Sequence, residues 1–221
     1  MTEVIRAYED LGSAAEHLAV GALALLPTET VYGVGVAVAA FAEHREPPGP
    51  ETGYGRIFTL KRRELSQTVP WLVDGPEALD RYGVNVPPQI RALAEAFWPG
   101  ALTLVVDASP AVPPFMRAAD GTVALRASAS PVVQSLISAC GSPLAVTSAN
   151  THGEPAPTAF ADVETRILDG VDVAVDGGET ACRDASTIVA VRDGGPVILR
   201  QGAVSRAEVL AILGLQRCRG V

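Results

Sequence analysis

Apolar residues in this chain fall in short runs separated by turn residues, and the runs carry two different periods. Seven of them read as strands: 21–27 "GALALLP", 101–108 "ALTLVVDA", 122–127 "TVALRA", 143–147 "PLAVT", 171–176 "VDVAVD", 186–191 "STIVAV" and 196–200 "PVILR". Helical spacing appears over 10–20, 87–97, 131–139, 159–168 and 205–213. In the second of these Ile90, Leu93, Ala94 and Phe97 share a face before Pro99-Gly100 stops the helix. Ser205 and Glu208 stand at capping-box spacing, and "RDGG" at 192–195 predicts a hairpin turn between two strands. Residues 42–56, "AEHREPPGPETGYGR", predict an exposed loop, after which strand-like "IFTL" resumes. Strands interleaved with helices predict a mixed α/β fold. Because several strands are apolar on both faces, helices are expected on both sides of the sheet.

Composition narrows this picture without changing it. The 221 residues are 48% hydrophobic and 19% charged, the balance of a globular domain. No run reaches the roughly 18–20 apolar residues of a membrane span, and the N-terminus has no signal-peptide pattern, so a cytoplasmic protein is expected. Cys140, Cys182 and Cys218 are far apart, with no CxxC pair or His at ligand spacing, and read as small hydrophobes rather than a disulfide or zinc framework. A formal charge of −8 argues against a surface built for nucleic acid, leaving room only for a local basic groove.

Four polar clusters interrupt the apolar framework, each expected at a strand end, where α/β sheets place ligands. They are "PTETVYG" (27–33), "LKRRELSQT" (60–68), "TSANTHGEPAPT" (147–158) and "STIVAV…ILRQG" (186–202). The first also reads as a hydroxyl-capped turn. Lys61, Arg62 and Arg63 form a dense positive group suited to a triphosphate, since ammonium and guanidinium groups pair with phosphate oxygens. Ser148 and Asn150 put small donors and acceptors on a tight turn. Ser186 and Arg200 lie at the two ends of a hairpin, either of which could reach a ligand anion. The sequence has no Walker A, GxSxG, HExxH or paired-carboxylate motif. His152 has no nucleophile-and-carboxylate partners and reads as a turn residue.

In this order the segments "LLPTETVYGVG", "RIFTLKRR", "FWPGALTLVV", "TVALR", "PLAVTSAN", "STIVAV" and "ILRQGAVS" resemble the YrdC/Sua5 family over about residues 20–205. The resemblance implies a twisted, mixed, partly parallel sheet flanked by helices around a large concave groove, in one domain over 1–221. It implies L-threonylcarbamoyladenylate synthesis from L-threonine, bicarbonate and ATP, with Mg2+ accompanying ATP, for tRNA t6A modification and hand-off to a t6A transferase complex. Carried over by position, Lys61 and Arg63 are the catalytic cations. Gln67, Thr122, Ser148, Asn150 and Arg200 join them as ATP contacts, while Thr30, Arg126 and Ser186 hold the amino acid. No metal is held by protein residues alone.

The chain departs from the family pattern in several places. Glu64 replaces a proline, Gln67 an asparagine, and Leu72 a threonine-site histidine. Ser128 and Ser130 replace the Pro and His of R-x-P-x-H, and Ala156 a small hydroxyl residue. These changes leave a second reading, a divergent paralogue making a carbamoyl adenylate from another amine. A third is an RNA-binding module without catalysis, against which the charge weighs. A fourth, the carbamoyl-transfer domain of hydrogenase maturation proteins, lacks its companion segments here. Loop 42–56, longer than the family's, is a candidate lid.

Overall fold

The computed structural model describes residues 2–64 and 67–215, so Cys218 lies outside the described residues. The elements in chain order are β1 (Glu3–Arg6), α1 (Gly12–Ala19), β2 (Ala24–Pro27), β3 (Tyr32–Ala37), α2 (Gly53–Lys61), β4 (Trp71–Val73), α3 (Ala78–Tyr82), β5 (Gly83–Val84) and α4 (Pro88–Phe97). They continue with β6 (Leu102–Ala108), β7 (Thr122–Ala127), α5 (Pro131–Cys140), β8 (Leu144–Ser148), α6 (Thr165–Leu168), β9 (Val173–Asp176), β10 (Thr187–Arg192), β11 (Gly195–Arg200) and α7 (Arg206–Ile212). The sheet runs β1-β9-β2-β3-β8-β4-β7-β6-β10-β11, with β5 paired to β6 off this path. It is mixed as expected: β9 pairs in parallel with β1 and β2, β4 with β7 and β6 with β10, and the remaining pairs are antiparallel. Among the described residues no helix is long and apolar enough to cross a membrane.

Strand alternation divides the core between the two faces of the sheet. Leu25, Tyr32, Val34, Trp71, Leu104, Leu125 and Ala145 pack on one side with residues of α2, α3, α4, α6 and α7. Leu26, Leu72, Leu144, Val146 and Val175 pack on the other with Ala14 and Leu18 of α1 and Val133, Leu136 and Ile137 of α5. Those two helices cover the second face only as far as β4. Beyond it β7 and β6 present Ala124, Arg126, Thr103 and Val105, and the half-exposed Ala124 and Val105 floor an open trough. The polar residues of these strands therefore stay uncovered where the helix layer stops.

Three expectations are corrected. "IFTL" is not a strand but the middle of α2, because Tyr54, Ile57, Phe58 and Lys61 recur at helical spacing and all are buried. Thr52 caps this helix by accepting the Gly55 N–H at 3.1 Å, so the loop ends at 52 rather than 56, and the "LKRR" cluster sits at a helix end instead of a strand end. The helix expected over 159–168 is broken into a 3-10 turn at Phe160–Asp162 and the short α6, because Glu164 turns out of the helical path to accept the Thr151 N–H and hydroxyl, each at 2.9 Å. Nor did the pattern predict β3, where Gly33 and Gly35 interrupt the apolar run. A Cβ at Gly33 would stand 2.5 Å from Val146 Cγ1, and one at Gly35 2.4 Å from the Ala145 carbonyl, so β3 lies against β8 only with glycine there.

Candidate functional site

Where the α1/α5 layer ends, a cavity of about 110 Å³ opens between β3, β4, β7 and β8, lined among others by Thr30, Leu72, Arg126, Ser148, Ala156, Ser186 and Arg200. The strands supply these groups from separate directions. Arg126 comes from the C-terminal end of β7, beside Leu72 in register on β4, and is only 5% exposed. Its Nη1 donates to Thr30 Oγ1 at 3.0 Å and stands 3.8 Å from Glu29 Oε1. Burial pulls the Arg126 guanidinium below its ordinary pKa, the Glu29 carboxylate opposes this, and Arg200 adds to it. Arginine remains charged in such a place. Arg126 Nε and Glu29 Oε1 are both buried without a hydrogen-bond partner, a costly state unless a polar ligand meets the group.

The turn holding Thr30 is itself tightly bonded. Thr28 Oγ1 accepts the N–H groups of Thr30 and Val31 at 3.1 Å, and donates to the Val31 carbonyl at 2.6 Å. A strap after β9 clamps this turn from outside: Thr180 Oγ1 donates to the Thr30 carbonyl at 2.9 Å and the Cys182 N–H to the Glu29 carbonyl at 2.8 Å. The serines of "RASAS" replace proline and histidine with bonds of their own. Ser128 Oγ donates to the Glu29 carboxylate, while Ser130 Oγ donates to the Pro27 carbonyl at 2.8 Å and caps α5 through the Val133 N–H.

At the opposite wall, the end of α2 meets the end of β8. Lys61, 3% exposed, directs Nζ to the Ser148 and Asn150 carbonyls at 2.5 and 2.8 Å and to Asn150 Oδ1 at 3.2 Å. Burial, reinforced by Arg63, lowers its pKa from 10.5 to about 8. The same lysine thus shapes the 148–150 turn and places a charge under it. Asn150 closes the turn by donating to the Thr151 and Glu154 carbonyls at 2.9 and 2.6 Å. Arg63 donates to Thr147 Oγ1 at 3.2 Å and to the Thr68 carbonyl, leaving its Nε buried and unpartnered. Glu164 and Arg166 hold Thr151, and Arg166 also reaches the Leu60 carbonyl, so α6 fixes the turn to the end of α2.

The third wall is the β10–β11 hairpin. Its strand ends lie side by side, so Arg200 donates to the Ser186 carbonyl at 2.8 Å and to Ser186 Oγ at 3.0 Å, with Thr103 Oγ1 2.9 Å from that hydroxyl.

The structure therefore brings together Thr30, Lys61, Arg63, Arg126, Ser148, Asn150, Ser186 and Arg200. It does not bring in Thr122. That residue starts β7, about 13 Å from Arg126 at the usual rise per residue, and donates to Asp120 at 2.7 Å in a depression lined also by Val105, Asp107 and Arg192, at the far end of the trough. Gln67 is exposed on the turn after Arg63, its N–H bonded to the Glu64 carbonyl at 3.1 Å. His152 is an exposed turn residue. Pro48 and Pro50 of the long loop stand over Phe58, Arg62 and Arg63, at the cationic end of the site rather than over Arg126. Sequence reasoning gave no role to Glu29, Thr103 or Glu164. Of these only Thr103 left a signal, a hydroxyl inside the apolar run "ALTLVV".

A family model described as "Telomere recombination", that of Sua5, YciO and YrdC, matches residues 16–202. The chain is 32% identical over 201 residues to a threonylcarbamoyl-AMP synthase of Pyrococcus abyssi, covering 91% of this chain and 56% of that protein. It is 34% identical over 203 residues to a putative threonylcarbamoyl-AMP synthase of Mycobacterium tuberculosis, covering 92% of this chain and 88% of that one. The crystal structure of P. abyssi Sua5 complexed with L-threonine superposes with a TM-score of 0.85 at 30% identity, over 98% of this chain and 62% of the other. The chain thus spans little more than half of the archaeal relative and most of the mycobacterial one.

Proposed function

Because the chain belongs to the Sua5/YciO/YrdC family, we propose that it condenses L-threonine, bicarbonate and ATP into threonylcarbamoyl-AMP and pyrophosphate, for hand-off to a tRNA-modifying transferase. One observation supports this most: in an acidic protein, Arg126 and Arg200 line one small cavity, and Lys61 and Arg63 bond to Ser148 and Thr147 of its wall. At about 110 Å³ the cavity is well below the roughly 300 Å³ at which drug-sized pockets begin, so it suits an amino acid, and the nucleotide would occupy the open trough beside it.

In this reading Arg126 takes the amino-acid carboxylate, with Thr30 and Ser186 beside it. The free amine attacks the carbon of bicarbonate, forming the N–C bond of a carbamate and releasing water. A carbamate oxygen then attacks the α-phosphorus, and pyrophosphate leaves with the bonding electron pair. Negative charge builds on phosphate oxygens, so fixed cations are the groups the transition state needs. Arg63 and Arg200 face that charge directly. Lys61 acts through its field and through the Ser148–Asn150 turn that it holds. Among the described residues no group of three or more His, Cys, Asp or Glu side chains could hold a metal ion, so Mg2+ would enter on the phosphates of ATP, where it would neutralise charge.

Pyrophosphate release from ATP, measured with and without bicarbonate and threonine, tests the reaction. Arg200→Ala is expected to weaken ATP affinity by about 1.5–3 kcal/mol, the worth of a charge-assisted hydrogen bond, and Lys61→Ala to weaken it through the lost field and the loosened Ser148–Asn150 turn. Unchanged affinity in both variants would remove the nucleotide from this end of the site. The presence of Leu72 in the cavity favours a second reading, a carbamoyl adenylate built on another amine.

A further inference from the structure

We infer that Leu72 makes the side-chain end of the cavity apolar, so that the chain adenylates small branched amino acids with little regard for a β-hydroxyl, valine beside threonine. The inference rests on the proposed function and concerns only which amine that site selects. Leu72 is 3% exposed and pairs in register with Arg126 on one side and with Leu144 on the other. Strand neighbours stand roughly 4.8 Å apart, so a substrate whose carboxylate rests on Arg126 sets its side chain against Leu72. Pro70, Val31 and Val146 extend this lining, with Val146 filling the space over Gly33.

The hydroxyls nearest Arg126 either have their protons committed within the protein or lie away from Leu72. Thr28 Oγ1 gives its proton to the Val31 carbonyl, so in the 2.7 Å contact with Thr30 the Thr30 hydroxyl must be the donor, while it accepts from Arg126. Thr103 and Ser186 face each other at 2.9 Å beneath Arg200, on the β6/β10 side of β7, across that strand from Leu72 of β4. Thr147 and Ser148 lie at the Arg63 and Lys61 end, where the phosphates are placed. A substrate hydroxyl over Leu72 would therefore meet an aliphatic wall. An apolar pocket separates a hydroxyl-bearing side chain from its methyl isostere by only about 100-fold, whereas a site that hydrogen-bonds the hydroxyl rejects the isostere by about 10⁴-fold or more. With valine the chemistry is unchanged: its amine forms the N–C bond with bicarbonate, water leaves, and the carbamate oxygen displaces pyrophosphate from the α-phosphorus.

The test measures kcat/KM for pyrophosphate release with threonine and with valine, each adenylate being identified by mass, beside calorimetric binding of both amino acids without ATP. The expected result is a threonine-to-valine ratio within about 100-fold. Leu72→Asn should raise that ratio at least about tenfold by offering the hydroxyl a partner, and the volume-conserving Leu72→Met should leave it unchanged. Threonine turnover with valine rejected more strongly, or a folded Leu72→Asn protein with the wild-type ratio, would overturn the inference while leaving the proposed reaction standing. Binding of both amino acids with comparable affinity but without pyrophosphate release would sustain the inference about the cavity and sink the reaction. Binding of neither would remove both.

Discussion

Lys61 holds a charge where burial disfavours one, and the consequence is measurable without any substrate. Its pKa falls from 10.5 to about 8 in the fold. Below that window both the native and unfolded states are protonated, and above it neither is. Between them the unfolded chain binds the extra proton, so this group makes stability rise as pH rises. Urea unfolding of wild type against Lys61→Met should show wild type gaining roughly 2 kcal/mol relative to the variant from about pH 8 to about pH 10. A pH-independent difference would mean that the ammonium is ordinary. Arg126 makes the complementary case: Arg126→Lys keeps the charge but loses the planar fork, and should raise KM for the amino acid roughly 10- to 100-fold with KM for ATP little changed. These cations were legible because their motifs occur in family order, not because any one of them stands out. Thr122 shares the face of β7 with Arg126 but stands about 13 Å from it, a distance that parity along a strand does not reveal. Glu29 stayed hidden because a carboxylate beside two threonines reads as a turn, and only the fold sets it against Arg126.

At the level of elements, local chemistry was legible and tertiary choices were not. The 192–195 turn has consecutive positive φ angles at Asp193 and Gly194, as a tight hairpin demands. Ser205 and Glu208 form the capping box with bonds of 3.2 and 2.8 Å. The α2 segment misled because Ile-Phe-Thr favours a strand, and only the burial of Tyr54, Ile57, Phe58 and Lys61 on one side makes it a helix. Two caps separate stability from function. Ser205→Ala, far from the cavity, should lower stability by about 1 kcal/mol in chemical denaturation and leave turnover unchanged. Ser130→Ala removes a cap and strands the buried Pro27 carbonyl beside the Thr30 turn. It should cost about 2–3 kcal/mol and also raise KM for the amino acid, since Pro27 precedes the turn that bonds Arg126.

Across the whole molecule, helices cover one face of the sheet along much of its width and the other only to β4, and the site is what that unequal cover leaves open. The two-sided helix layer was legible from strands apolar on both faces, but where the cover stops was not, because it depends on α1 and α5 lying side by side, a pairing of elements more than a hundred residues apart in sequence. The net charge of −8 sets the cationic cavity in a repulsive surround. Fluorescence anisotropy should accordingly show no salt-dependent binding of tRNA by the free protein up to about 10 μM, because backbone affinity needs many Lys and Arg contacts. In the proposed reaction this cavity joins an amino acid to bicarbonate and then to AMP. That reaction is tested most directly by incubating the protein with ATP, threonine and ¹³C-bicarbonate and weighing the nucleotide product. The expected product is an adenylate heavier than AMP by the threonylcarbamoyl group and carrying the label, formed with stoichiometric pyrophosphate and lost in Arg126→Lys at limiting threonine. An unlabelled adenylate, or pyrophosphate release indifferent to bicarbonate, would contradict the proposed reaction.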